Sequence, residues 1–309
     1  AVQGRRYRTV LAGDRCDQGL GLLFCNEHIK IMFCGNVFLS GEHGISTAEN
    51  GLKKDIYSEI GTALDAVAAN TKPMHAIFIK DFQLASLVHT QSFLNFGYSE
   101  IKVEPNMIIQ LKPEWKNFEE YKNILKSKYR VKANKADSKS SILETRLFSS
   151  KDLETYKHEL QALYQNTIDK ASFNAQVLNL DTYSQLSTSL KDNFIVKGYF
   201  LENRLVGFLT GLVNDNKLDA HFIGLDYELN KSLAIYPRIL NDYVRIGIEK
   251  QVSSINLGRT ASEIKTTIGA NSIELSCYIK HKNPFLNSLI KPFLRRIKIK
   301  EFKQHSPFK

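Results

Sequence analysis

The stretch Ser253–Ile279, SSINLGRTASEIKTTIGANSIELSCYI, reads as a short buried strand, a tight turn, a short helix and a return strand. Ile255 and Leu257 form a period-two apolar pair that stops at Gly258, where the chain can turn sharply because no Cβ obstructs it. That presents Arg259 at a strand end. The spacing predicts a helix over Ala261–Ile268, with Thr260 as N-cap, Ile264 and Ile268 on one apolar stripe and Gly269 as the stop. Lys265 then lies at the edge of the buried face.

Working outward, Phe194–Leu201, Arg204–Val213 and Leu218–Asp226 predict an antiparallel meander with turns at Glu202-Asn203 and Asn214–Asn216, followed by a helix over Tyr236–Lys250. Nearer the start, Leu20–Ser40 predicts a first meander. Ile56, Ile60, Ala63, Leu64 and Val67 mark a helix face, His75–Ile79 a buried strand ending in Lys80-Asp81, and Gly97 stops a helix before a return strand, Tyr98–Leu111. The same order of elements thus occurs twice, with Lys80-Asp81 and Gly258-Arg259 as matching polar strand ends. Between the repeats, Trp115–Lys135 has helical spacing and Ala136–Ser141 linker composition. The expected organisation is an N-terminal domain over 1–112, a helical linker over 113–141, and a C-terminal domain with a basic tail over 142–309.

The composition, 43% hydrophobic and 24% charged over 309 residues, is that of a globular chain. There is no apolar run near eighteen residues and no charged-then-apolar signal region at the start, so a cytoplasmic protein is expected. Cys16, Cys25, Cys34 and Cys277 lack metal-ligand spacing, so no metal is expected. The formal charge of +10 is uneven: Lys122–Lys139 carries +6 and Lys280–Lys309 carries +8, leaving −4 elsewhere. Two basic patches on an acidic body point to a polyanionic partner: phosphate groups, an acidic carrier protein, nucleic acid or an anionic membrane. The tail NPFLNSLIKPFLRRIKIKEFK mixes Phe, Leu and Ile with Lys and Arg, as does a segment lying peripherally on the inner face of a membrane or covering an apolar groove.

The words LVGFLTGL, LDAHFIGLDYELNKSLAIYPRILNDYVRIGIEK and INLGRTASEIKTTIGA resemble those of Fem-type (FemAB-like) aminoacyltransferases and BioF-like N-acyltransferases. The resemblance implies an α/β (α+β) fold of two GNAT-like domains in tandem, each a mixed, mostly antiparallel sheet flanked by helices, joined by a long helix. It implies transfer of an acyl or aminoacyl group to an amine acceptor, such as a lipid or cell-envelope precursor. The donor would be acyl-CoA, an acyl carrier protein thioester or aminoacyl-tRNA, with no permanent cofactor. Fem-type enzymes carry a lysine in an apolar-Lys-x-x-apolar-Gly pattern that stabilises developing negative charge, and Ile264-Lys265-Thr266-Thr267-Ile268-Gly269 places Lys265 there. One departure concerns the donor: simple GNAT enzymes cradle pyrophosphate on a glycine-rich loop, but Asn230–Ile235 contains no glycine, leaving Lys231, Ser232 and the helix dipole to hold an anion.

Amide formation needs a base, an oxyanion stabiliser and a proton for the leaving group. His221, on the third strand of the second meander, is the candidate base, and Tyr236 the candidate acid. Lys265 is the candidate stabiliser, while Arg259 and Thr260 are candidate contacts for a carboxylate or phosphate. The alternative is a catalytically silent tandem GNAT domain that binds an anionic ligand or a membrane surface.

Overall fold

A computed structural model describes residues 30–46, 56–71, 73–171, 176–294, 296–297 and 299–309. The expected strand over Leu20–Cys25, together with Cys16 and Cys25, lies outside the described residues.

In the N-terminal half, β1 (Ile31–Cys34) crosses through α1 (Ile56–Asn70) to β2 (Ala76–Gln83), to which it pairs in parallel. Tyr57, Gly61 and Ala68 form the buried stripe of α1; Val67, expected inside, is half exposed. Two short helices, α2 (Leu84–Thr90) and α3 (Ser92–Asn95), lead through Gly97, at φ 82°, into the return strand β3 (Ser99–Gln110).

The connection between the halves is two helices rather than one, α4 (Phe118–Asn123) and α5 (Ser127–Lys139). They break at 124–126, where Leu125 bridges to Phe308 and Lys126 N–H donates to Pro307 O at 2.8 Å. The segment Pro307–Lys309 fills this break, with Lys309 N–H donating to Ile124 O at 3.0 Å. It docks Phe308 against Trp115 and Tyr121, over Gly269, whose φ of 88° and lack of a side chain leave room for the ring. The final residues are therefore part of the core.

After β4 (Glu144–Leu147) come α6 (Ser150–Thr155), which Ser149 and Asp152 close with a reciprocal cap, and, past a break at Tyr156, α7 (Lys157–Lys170). Next come α8 (Thr182–Leu190) and the meander β5 (Phe194–Leu201), β6 (Arg204–Asn214) and β7 (Lys217–Leu225). Alternation along β5 puts Ile195 and Tyr199 in one core and Phe194, Val196 and Phe200 in the other. Then follow α9 (Tyr227–Leu233), α10 (Ile235–Glu249), β8 (Ser254–Asn256), α11 (Ser262–Thr266), β9 (Asn271–His281) and α12 (Pro284–Leu294).

A buried ion network fastens α10 to the strands and to α5. Asp242, fully buried, accepts from Tyr199 Oη at 2.8 Å, Lys197 Nζ at 2.9 Å, Arg238 Nε at 3.0 Å and Arg245 Nη1 at 2.6 Å. Asp137 on α5 takes the other arm of Arg245 and the Asn241 amide.

The nine strands of the described residues form one mixed sheet in the order β1-β2-β9-β3-β8-β7-β6-β5-β4. The expected repeat is visible in part: β7 and β8 are a parallel pair joined by α10 as β1 and β2 are joined by α1, and each pair is followed by short helices and a return strand. The first meander expected over Leu20–Ser40 is not seen among the described residues, where 35–40 forms no strand and β1 pairs in parallel with β2. The return strands are exchanged, however. β9 of the second half pairs with β2, β3 of the first pairs with β8, and the two pair with each other. The order β1-β2-β9-β3-β8-β7 therefore reads the same when the halves are swapped, and the sheet runs without interruption through both.

Candidate active site

The two polar strand ends that match in sequence meet in space. β2 bulges between Ile79 and Phe82, and this bulge sets Asp81 in a left-handed conformation, φ 67°, with its carboxylate fully buried. Such a backbone is costly for a residue with a Cβ and concentrates at functional sites. Arg259 forms an ion pair with Asp81 Oδ1. Cys277 Sγ donates to the same oxygen at 3.3 Å, Gly41 N–H donates to Oδ2 at 3.1 Å, and Lys80 Nζ lies 3.6 Å from Oδ2. The guanidinium Nε–H of Arg259 is buried and finds no partner among the described residues. Burial, then the Arg259 charge, draws the Lys80 ammonium down to about 8.

The β8–α11 turn is equally unusual. Gly258, Thr260 and Ala261 all have positive φ, at 70°, 61° and 47°. This corrects the expected cap: α11 starts at Ser262 behind Ala261, with no side-chain cap, and Thr260 is exposed on the turn. The left-handed turn brings three successive carbonyls round to one point, where Lys265 Nζ donates to Leu257 O at 2.8 Å, Gly258 O at 3.3 Å and Arg259 O at 2.6 Å. Burial pulls its pKa down to about 7, while three acceptors require all three hydrogens of an ammonium. Lys265, expected to face a reacting carbonyl, is thus committed to the backbone that presents Arg259.

A loop from the first half covers this region. Asn256 Nδ2 and Asn106 Nδ2 both donate to Ser40 O, at 2.7 and 3.1 Å. Asn256 is braced by Asp219 Oδ1, which accepts from Nδ2 at 2.8 Å, and by Gly258 N–H, which donates to its Oδ1 at 2.9 Å. Asn106 follows a second bulge, between Val103 and Asn106 on β3. Phe38 sets its ring edge-on to Phe222 of β7, beyond the three residues over which β7 pairs with β8. Asp81, Lys80, Ser40, Asn106 and Asn256 had no signal in the sequence beyond strand-end and turn polarity. They are collected by bulges and by the strand exchange.

The other expected residues make none of these contacts. His221 is in a third bulge, opposite Thr210, with Nδ1 3.3 Å from Thr210 Oγ1 and its ring against Tyr183 and Phe222. Burial pushes the imidazole down to about 4, so it has little affinity for a proton from an amine. Tyr236 begins α10, its N–H taken by Asn230 Oδ1 at 2.8 Å, and burial raises its hydroxyl pKa. Lys231 and Ser232 are in α9, where a phosphate-cradling loop was sought. Their backbone is helical, so only their side chains are available to an anion.

No protein-family model and no curated protein sequence matches the chain. Solved structures do. FemX aligns over 82% of both chains at 11% identity with a TM-score of 0.52. L-PGS from Bacillus licheniformis aligns over 80% of this chain and 81% of its own, at 10% identity and TM-score 0.51. A conserved protein of unknown function from Bacteroides thetaiotaomicron aligns over 74% and 75%, at 13% and 0.50. At these identities the likeness is one of fold. The chain shares the mixed-sheet α/β fold of FemX and L-PGS.

Proposed function

We propose that the protein is an N-acyltransferase that moves an acyl or aminoacyl group from an activated donor (acyl-CoA, an acyl carrier protein thioester or aminoacyl-tRNA) to an amine. One observation carries this reading: two polar strand ends, 178 residues apart in sequence, converge on a buried, strained ion cluster within a transferase-like fold. Packing alone gains nothing from such a cluster, because desolvating the charges costs about what their attraction returns. Arg259, whose side chain stays partly exposed beside Asp81, anchors a carboxylate or phosphate. Lys265 holds the loop that aims Arg259, and Lys80 titrates in the range useful to proton transfer. Lys231 and Ser232 lend side chains to the anionic part of the donor. The test is mass-spectrometric detection of amide products when the protein is offered panels of acyl-CoAs and charged tRNAs with a panel of amines. Product that disappears in Arg259→Gln supports the assignment. No product from either panel with well-folded protein would leave the silent, anion-binding alternative.

The acceptor side of this proposal is an anionic membrane surface. No helix among the described residues is long and apolar enough to cross a bilayer, but α12 exposes Phe285 (70%), Leu289 (50%) and Phe293 (51%) at four-residue spacing. The helix cannot roll to hide them, because Asn287 ties it to Gly97 O and His281 N–H. No Asp or Glu occurs between Glu274 and Glu301. Basic residues beside an exposed aromatic stripe suit an anionic interface. Phe285→Ser/Leu289→Ser/Phe293→Ser is expected to abolish flotation with phosphatidylglycerol vesicles and to leave the fold intact; unchanged flotation refutes the surface. Deleting the whole tail is the poorer test, since it removes Phe308 from the core.

A further inference from the structure

Two carboxamides aim at a single carbonyl oxygen, and this arrangement extends the transferase reading, on which it rests. We infer that Asn106 and Asn256 form the hole that receives the carbonyl oxygen of the acyl donor, and that the backbone carbonyl of Ser40 occupies it in the closed protein. The distances of 3.1 and 2.7 Å are those of donors serving an oxyanion. The hole does not depend on its present occupant. Asn256 is oriented by Asp219 and by Gly258 N–H, neither of which belongs to the loop, so its amide points at the same spot when Ser40 is gone. Asn106 is buried, and among the described residues its side chain bonds to Ser40, through both Ser40 O and Ser40 Oγ. A buried amide in that position needs a replacement acceptor once the loop leaves.

The loop is built to leave. Its ends touch, with Gly44 packed on the backbone of Gly35, and positive-φ glycines stand at Gly35 (129°) and Gly41 (130°). Most of its anchors are polar: Lys80 Nζ on Asn36 O and Leu39 O, Asp81 on Gly41 N–H, and Glu42 on Gln83 N–H and Ser86 Oγ. Water can replace each of these. With the loop displaced, the donor's carbonyl oxygen takes the Ser40 position and its carbon faces the amine. The amine nitrogen forms the new C–N bond, and the π electrons move onto the oxygen held by the two amides. They return as the C–S or C–O bond breaks, and the proton lost by nitrogen ends on the departing thiol or hydroxyl.

The experiment has two arms. In the first, kcat and KM are measured for the transfer found with the donor panels. Asn106→Ala is expected to lower kcat roughly 100- to 1,000-fold with KM little changed, and Phe38→Ala, which loosens the loop, to lower KM. Asn256→Ala also strips Asp219 and Gly258 of a partner, so Asn106→Ala, which removes side-chain hydrogen bonds to Ser40, decides the matter. Unchanged kcat in that variant reduces the pair to a latch for the loop and overturns the inference. The second arm needs no turnover: ¹³C NMR of S-[1-¹³C]acetyl-N-acetylcysteamine and [1-¹³C]alanine methyl ester bound to Phe38→Ala. A downfield carbonyl shift that vanishes when Asn106→Ala is added supports the hole even if the transfer panels are silent, in which case only the transferase reading falls. No shift with either probe overturns the hole.

Discussion

Lys265→Met should lower turnover on the order of 100-fold or more, the scale seen when a charge-stabilising constellation is disrupted, and should do so by moving a loop rather than by removing a contact to substrate. Methionine fills the same buried channel but offers no hydrogen to Leu257 O, Gly258 O or Arg259 O. Leu257 O and Arg259 O, left without the lysine's hydrogens, cost about 1–3 kcal/mol each, while Gly258 O keeps Met107 N–H at 3.1 Å. The left-handed turn at Gly258, Thr260 and Ala261 then loses its main cross-brace. Arg259 and the Gly258 N–H that braces Asn256 would lose their places together. The wild-type pH profile supplies a readout that mere structural support would not move. With the ammonium drawn down to about 7, deprotonation removes one of the three hydrogens, so turnover is expected to fall as pH rises through that value. The variant should lack this limb. A Met variant with near-normal turnover and an unchanged alkaline limb would show that the loop does not need the charge.

Asp242→Ala is expected to cost about 3–5 kcal/mol of stability, the range for breaking a buried ion pair from one side. Lys197, Arg238 and Arg245 would all lose their shared carboxylate, and Tyr199 Oη its acceptor. The loss corresponds to a fall in melting temperature on the order of 10 °C. Burial raises the Asp242 pKa, but Lys197, Arg238 and Arg245 outweigh it and hold the carboxyl below its ordinary range. A carboxyl depressed on folding contributes stability that is complete above its unfolded pKa and lost as pH falls through the folded one. The gap in melting temperature between wild type and variant should therefore be widest near neutrality and close in strong acid. A gap that stays constant from pH 7 to below pH 3 would mean that something other than this charge is being measured.

The element order was legible because it rests on local periodicity. Ile255 and Leu257, the Gly97 and Gly269 stops, and the α10 stripe need no knowledge of neighbours. The pairing of the strands was not legible. The apolar residues of Asn271–His281 mark a strand but not which strands lie beside it, so an exchanged return strand looks like one at home. The site shared this fate. Arg259 was found because Gly258 ends a strand, yet its partner Asp81 lay in the other half, and its placement depends on a bulge. Asn106, Asn256 and Ser40 are residue types that turns and strand ends use everywhere. His221 looked suited to a cleft because its strand is, whereas the bulge opposite Thr210 turns it into an aromatic pocket.

The exchange of β3 and β9 also sets a timetable for biosynthesis. β2 and β3 emerge from the ribosome early, but the strand that separates them begins at Asn271, nearly 190 residues after β2 ends. At ordinary elongation rates of about 5–20 residues per second, that interval is roughly 10–40 s. For that time the first half has two apolar strands whose hydrogen-bonding edges await a neighbour not yet made. Pairing them with each other would be a trap, since β9 must later be admitted between them. A nascent N-terminal half should therefore be a client of chaperones, and a chain cut in the segment before β4 should recover its fold only when both pieces are present together.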